Sequence, residues 1–145
     1  EPEEMFTPKY FQPPLNIFTI PDGCPGTVQE MLLQSFSIAW ANFSGAASLL
    51  RVAIERLMVE IAPELEGSLG NKINSYAENN EVTGELLKAV KWLGNTGSHQ
   101  GDIEEHELAA AYKISDLALK SLYCNEAEEV AEIARLINEA KGPIR

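Results

Sequence analysis

Apolar residues recur at helical spacing along most of the chain beyond residue 26. From Thr27 onward Val28, Leu32, Phe36, Ala39 and Phe43 follow steps of four and three, which places them on one stripe of a helix. Thr27 with Glu30 three residues later is the capping-box pattern for its start. The small residues Ser44-Gly45-Ala46-Ala47 then mark a break, or a place where two helices come close. A second helix carries Leu50, Ile54, Leu57 and Ile61 inward, with Arg51/Glu55 and Arg56/Glu60 as i, i+4 pairs, and Pro63 ends it. Leu69, Ile73 and Tyr76 predict a short third helix after Gly67-Ser68, stopped by Asn79-Asn80. A fourth helix follows Thr83 with Leu86, Leu87, Val90 and Leu93 facing the core, and Gly94 has the residue type of a C-terminal cap. Residues 104 to 123 form the clearest helix, with Leu108, Tyr112, Leu119 and Leu122 on an apolar face. Its start, with Asp102, Glu104, Glu105 and Glu107, suits the positive end of the helix dipole. A last helix from Glu126 to Ala140 turns Val130, Ile133, Ala134 and Ile137 inward, and Gly142-Pro143 closes it. The sum is an all-α chain, an up-and-down bundle of five or six helices.

Ahead of this bundle the pattern changes. Residues 1–26 hold six of the eight prolines, which neither helix interiors nor central strands tolerate, so they form an extended arm and residues 27–145 the bundle domain. Within the arm Leu15-Asn16-Ile17-Phe18-Thr19-Ile20 partly alternates, as a short edge strand or a segment lying on its own domain would. At 145 residues, 45% hydrophobic and 23% charged, the chain can bury a core without disulfides or a structural metal. Cys24 and Cys124 form no C-x-x-C pair and read as free thiols. No apolar run is long enough to span a membrane, and Glu1-Pro2-Glu3-Glu4 is acidic where a secretory signal is basic, so a cytoplasmic location is expected. The opening on Glu1 rather than Met raises the expectation of a missing upstream domain.

Twenty-two acidic residues against 11 basic ones give a net charge of -11, which opposes broad, sequence-independent coating of nucleic acid. A local site is still open, because exposed charges more than about 10 Å apart are largely screened at 0.1 M salt. The stretch Gly94 to Gly101 is the place to look. It joins three glycines to Asn95, Thr96, Ser98, His99 and Gln100, residues that let a ligand approach the backbone and supply hydrogen-bond partners for phosphate or carbonyl oxygens. His99 is one of two histidines and can exchange a proton near neutral pH. The plainer reading is a helix-to-helix turn with His99 satisfying a carbonyl. His99, Asp102 and His106 have the residue types of metal ligands but no standard spacing, and a solvated acidic cap accounts for the last two. Trp40 and Trp92 could stack on a base; beside Phe36, Phe43 and Leu93 they read as core. No phosphate-binding P-loop, dinucleotide fingerprint, nucleophile elbow or carboxylate pair is present, and neither metal nor cofactor is expected.

Leu49-Leu50-Arg51-Val52-Ala53-Ile54-Glu55, Leu69-Gly70-Asn71-Lys72-Ile73 and Trp92-Leu93-Gly94-Asn95-Thr96-Gly97-Ser98-His99 stand in the order of the bacterial domain-of-unknown-function family 4145, and Leu119-Lys120-Ser121-Leu122-Tyr123 fits the same pattern. The chain resembles that family over about residues 15 to 125, and the family is similar to the HEPN superfamily of nucleotide-binding helical domains. The resemblance implies a HEPN-like bundle, commonly a homodimer. In active members two arginine-polar-histidine motifs meet across the dimer and cleave RNA without metal. Arginine then stabilises charge on the transition state and histidine moves the proton. Carried over, Asn95 and His99 match the catalytic positions, while Gly94 stands where the arginine belongs. Lys91, one turn earlier, lacks the guanidinium fork, and Arg51 is the other source of charge, its plainer role being the pair with Glu55. Thr96 and Ser98 complete the expected substrate-binding set with Arg51 and Lys91.

Two functions follow as expectations. One is a HEPN-like domain that binds RNA or a nucleotide, or descends from a metal-independent ribonuclease whose motif is now incomplete. The other is a non-catalytic interaction or dimerisation domain serving an effector domain elsewhere, compatible with the broad apolar helices and the acidic stretch Glu126 to Glu132. Neither expectation includes a membrane partner.

Overall fold

Proline and glycine set the first helix in motion. The computed structural model describes residues 15–99, 102–124 and 126–144, with the backbone alone for 96–99. Six helices follow in order: α1 (Gly26–Ile38), α2 (Phe43–Ile61), α3 (Leu69–Ala77), α4 (Glu81–His99), α5 (Glu105–Tyr123) and α6 (Glu126–Ala140). Among the described residues there is no strand, and no helix is long and apolar enough to cross a membrane. Helices α1 to α5 form the bundle, with α2 packed on α1, α3, α4 and α5.

Pro25 stands at the N-cap of α1, where its fixed φ of -57° guides the chain in and no side-chain cap is made. The Thr27–Glu30 capping box is therefore not formed. Instead the Thr27 carbonyl accepts from Arg56 Nη1 at 3.0 Å and the Glu30 carboxylate takes the same nitrogen at 3.0 Å. This corrects the expected Arg56–Glu60 pair: two acceptors on α1 outcompete one on the same helix, because they lie where α1 and α2 pack. Helix α1 stops at Ile38, and Phe43 opens α2 rather than continuing the first stripe. Asn42 caps α2 by accepting from the Gly45 N–H at 2.8 Å. Ser44 to Ala47 lie in its first turns, at a close approach to α1: a Cβ on Gly45 would sit 3.1 Å from Ile38 Cδ1, and Ala46 and Ala47 are buried.

The core consists of Val28, Met31, Leu32 and Phe36 of α1, Leu50, Ala53, Ile54, Leu57 and Met58 of α2, Ile73 of α3, Leu87 and Val90 of α4, and Leu108, Ala111, Ala118 and Leu119 of α5. One polar link crosses it. Ser35 Oγ donates to the Ala46 carbonyl at 2.7 Å and accepts from the Tyr112 hydroxyl at 2.8 Å, tying α1, α2 and α5 together in the interior. Thr83 does not precede α4 but lies buried in its first turn, 3.0 Å from the Ser121 hydroxyl on α5. The segment 15–20 forms no strand. It lies on the body, with Phe18 edge-on to Phe36 at 5.1 Å and to Tyr112 at 6.4 Å. Both cysteines are free, Cys24 buried with its thiol pushed up to about 11 by burial, and Cys124 exposed.

Helix α6 departs from expectation. It touches no other helix, and Val130, Ile133, Ala134 and Ile137 are all exposed rather than inward. Periodicity identifies an apolar face but not what covers it, and the α1–α5 core closes without this helix.

The buried Ser35–Tyr112 link yields two measurable outcomes. Ser35→Ala strands the Tyr112 hydroxyl and lowers the unfolding free energy by about 1–3 kcal/mol in urea titrations, while Tyr112→Phe costs about 1 kcal/mol. Burial holds the Tyr112 hydroxyl up to about 12 from an ordinary 10.0, against the opposing pull of the Ser35 hydrogen bond. The native state keeps this proton when the unfolded chain has lost it, so the stabilisation is whole below pH 10 and fades as pH rises toward 12. The alkaline fall in stability is shallower in Tyr112→Phe than in the parent.

Candidate functional site

The seam between α2 and α4 depends on a missing side chain. Gly94 does not end α4; the helix runs five residues further, to His99. Gly94 is buried, and a Cβ placed on it would lie 2.6 Å from Arg51 Cβ and 3.0 Å from the Ala47 carbonyl oxygen. Glycine is required here because the helices touch, not because the chain turns. The expected loop from Gly94 to Gly101 is thus helical from Gly94 to His99, while Gln100 and Gly101 lie outside the described residues.

Continuing the helix sets Asn95 against α2. Arg51 Nε donates to Asn95 Oδ1 at 2.6 Å, and its Nη1 donates to Glu55 Oε1 in an i, i+4 ion pair. The salt bridge expected for Arg51 is present, and so is a contact that no spacing rule announces: the guanidinium of Arg51 on α2 reaches Asn95 on α4. The group is reachable, with the Arg51 side chain 32% exposed and Glu55 41%. A half-exposed ion pair of this kind is worth no more than about 1 kcal/mol, so an incoming anion can displace the Glu55 carboxylate.

Lys91 stands one turn before Asn95 on α4. Its ammonium lies 3.8 Å from the centroid of the Trp92 ring, a cation–π contact, and beside Gly70 of α3, where a Cβ would come within 3.2 Å of Nζ. The three stretches that carry the family resemblance therefore converge: α2 meets α4 at Arg51 and Asn95, and α3 meets α4 at Gly70 and Lys91. Trp92 is 59% exposed and Trp40 46%, which corrects their reading as core. A signal existed for Trp92. It lies two residues from buried Val90, a rotation of about 200° around the helix, on the side away from the apolar stripe.

Thr96, Ser98 and His99 occupy the last turn of α4, with His99 one turn beyond Asn95; their side chains lie outside the described residues. Asp102 is exposed, and a hydrogen bond from the Ile103 N–H to Ser44 Oγ at 3.0 Å holds the following segment against α2. The acidic cap expected at α5 is present: Glu107 accepts from the Glu104 N–H at 3.4 Å, and His106 Nδ1 lies 3.2 Å from Glu104 Oε2. Glu104, His106 and Glu107 bring possible ligand atoms within 4.8 Å of one another, all from the surface of this helix start. The trio differs from the one considered from sequence, since Asp102 has no part in it.

Residues 34–140 match the family model described as "Domain of unknown function (DUF4145)". The match leaves out residues 15–33 and takes in α6, so it lies further along the chain than the stretch expected from the resemblance. No curated protein and no solved structure matches the chain.

Gly94→Ala tests the seam. Helix propensity alone favours alanine by about 1 kcal/mol. The contact with Arg51 Cβ and the Ala47 carbonyl reverses the sign, so the variant loses about 1–3 kcal/mol of unfolding free energy in urea titrations.

Proposed function

The chain belongs to the DUF4145 family, and on that premise we propose that the α2–α4 seam around Arg51 and Asn95 binds a phosphate-bearing ligand, RNA or a nucleotide. The observation that carries this reading is the 2.6 Å hydrogen bond from Arg51 to Asn95. It holds a planar cation beside the polar residue of the family motif, where Gly94 itself supplies no charge. A guanidinium is suited to phosphate because it offers several donors in one plane and is less strongly hydrated than an ammonium. Lys91 adds a second cation one turn away, and exposed Trp92 offers a face on which a base can stack. The pair with Glu55 keeps Arg51 ordered and neutralised until a ligand takes its place.

Within the same reading the domain acts in the cytoplasm, and as a homodimer, the latter being what the family resemblance implies. Cleavage of RNA is a further step that requires His99 to move the proton of an attacking or leaving oxygen. Binding needs only Arg51, Asn95 and their neighbours. The two are therefore separable by substitution.

Fluorescence anisotropy with a labelled single-stranded RNA and with a labelled nucleotide tests the proposal. Arg51→Met keeps the aliphatic stem against Gly94 while removing the charge, and weakens binding about tenfold, in keeping with loss of a charge-assisted hydrogen bond. Glu55→Gln frees the guanidinium and tightens binding by about threefold. Asn95→Ala weakens it, and His99→Ala abolishes any cleavage while leaving binding in place. A parent chain that binds neither probe, or Arg51→Met and Asn95→Ala variants that bind like the parent while folded, would sink the proposal.

A further inference from the structure

Helix α6 leaves a row of aliphatic side chains in solvent. Val130 is 60% exposed, Ile133 52%, Leu136 37% and Ile137 43%, and no other helix touches them. Val130, Ile133, Ile137 and Ala140 follow the three-four-three spacing of a seam between two helices. The family match extends through residue 140, so this helix is part of the family's domain.

Charge decides what such a stripe accepts. Five glutamates, Glu126, Glu128, Glu129, Glu132 and Glu139, stand on α6 against one cation, Arg135, which leaves the helix with a net charge of -4. Arg135 is already engaged within the helix, by Glu132 on one side and Glu139 on the other. Glu126, Glu128 and Glu129 form no ion pair among the described residues. Their place in the first turn suits the helix dipole, which accounts for the glutamates but not for the aliphatic row beside them. Glu128, Glu129, Glu132 and Ile133 together line an open hollow. A lysine or arginine fits it, with the aliphatic stem over Ile133 and the charged head among the carboxylates. Nucleic acid and anionic membrane meet repulsion on this face, and so does a second α6, which brings the same glutamates.

We infer that α6 is the docking face for a basic amphipathic helix of another protein. The partner's apolar stripe covers Val130, Ile133 and Ile137, and its lysines or arginines meet Glu126 and Glu129, which stand one turn before Val130 and Ile133 at the edge of the row. A helix is the matching shape because side chains at three-four spacing are received by the same spacing on the facing helix.

The size of the contact sets its strength. A 15-residue helix is about 22 Å long, and a pair of that length buries less than the roughly 1,200 Å² at which stable interfaces begin. The complex is therefore a transient one, with a dissociation constant on the order of tens of micromolar. This surface is separate from the α2–α4 seam, and its occupancy does not depend on a ligand there.

Fluorescence anisotropy of the full chain with a labelled synthetic peptide tests the inference. The peptide is a three-heptad helix with leucine at its seam positions and lysine at the flanks. It binds, and binding weakens several-fold between about 50 mM and about 300 mM salt as the charges are screened. Ile133→Ser combined with Ile137→Ser removes the stripe and keeps every charge, and weakens binding at least about tenfold. Glu126→Gln, Glu128→Gln and Glu129→Gln combined keep the stripe, weaken binding about fivefold and flatten the salt dependence. Both variants keep the urea midpoint of the parent, because α6 takes no part in the core. Two control peptides define the occupant: glutamate in place of every lysine abolishes binding, and serine in place of every leucine weakens it at least about tenfold. A parent chain that does not bind the basic peptide, binding indifferent to the isoleucine pair or to the three glutamates, or equal binding of either control peptide overturns the inference. So does sedimentation that shows self-association lost with the isoleucine pair, or binding to anionic vesicles lost in the same way.

Discussion

The approach of α2 and α4 at Gly94 governs the arrangement of this domain. With any larger residue at that position a side chain would have to occupy the space already held by Arg51 Cβ and the Ala47 carbonyl. Either the helices would separate or Arg51 would swing away, and in both cases its hydrogen bond to Asn95 would be lost. A second close approach, where a Cβ on Gly84 would lie 2.4 Å from Ala77 Cβ, draws α3 onto α4 in the same manner. Helix α4 is thus gripped on two sides through glycines, and the face that carries the family's motif is assembled by packing. A close-packed interior accommodates such contacts in one arrangement only.

That arrangement sets the Arg51 guanidinium of α2 beside Asn95 of α4, next to a Gly94 that carries no charge of its own. The i, i+4 pair with Glu55 helps to hold the Arg51 side chain in place, at a strength of no more than about 1 kcal/mol for its exposure. On α4 the Lys91 ammonium lies 3.8 Å over the Trp92 ring, and Trp92 as a whole is 59% exposed.

Helix α6 follows a different logic. The interior of α1 to α5 closes around Ser35, Tyr112 and the apolar side chains near them, and α6 takes no part in it.

Local rules were sufficient for much of the fold. The helical periods of Val28 to Phe36, Leu50 to Ile61, Leu69 to Tyr76 and Leu108 to Leu122 follow from side-chain spacing, and they led to an all-α bundle because a stripe of apolar residues must be buried wherever it recurs. The order of short motifs was likewise sufficient to identify the family that residues 34–140 match. Other features depended on which helix lies against which. Glycine at position 94 has the same local signature whether it ends a helix or admits a neighbour, and only the presence of Arg51 and Ala47 decides between them. Arg56 prefers Glu30 to Glu60, and Thr27 loses its capping role, because α1 and α2 are in contact. The union of Arg51 with Asn95 joins residues 44 positions apart, a distance at which no sequence period operates. Sequence by itself determined the helices and their apolar faces, since those depend on neighbours along the chain. Tertiary structure alone decided which faces meet, which glycine is a contact, and which helix is left without one, because those outcomes depend on volume and charge in three dimensions.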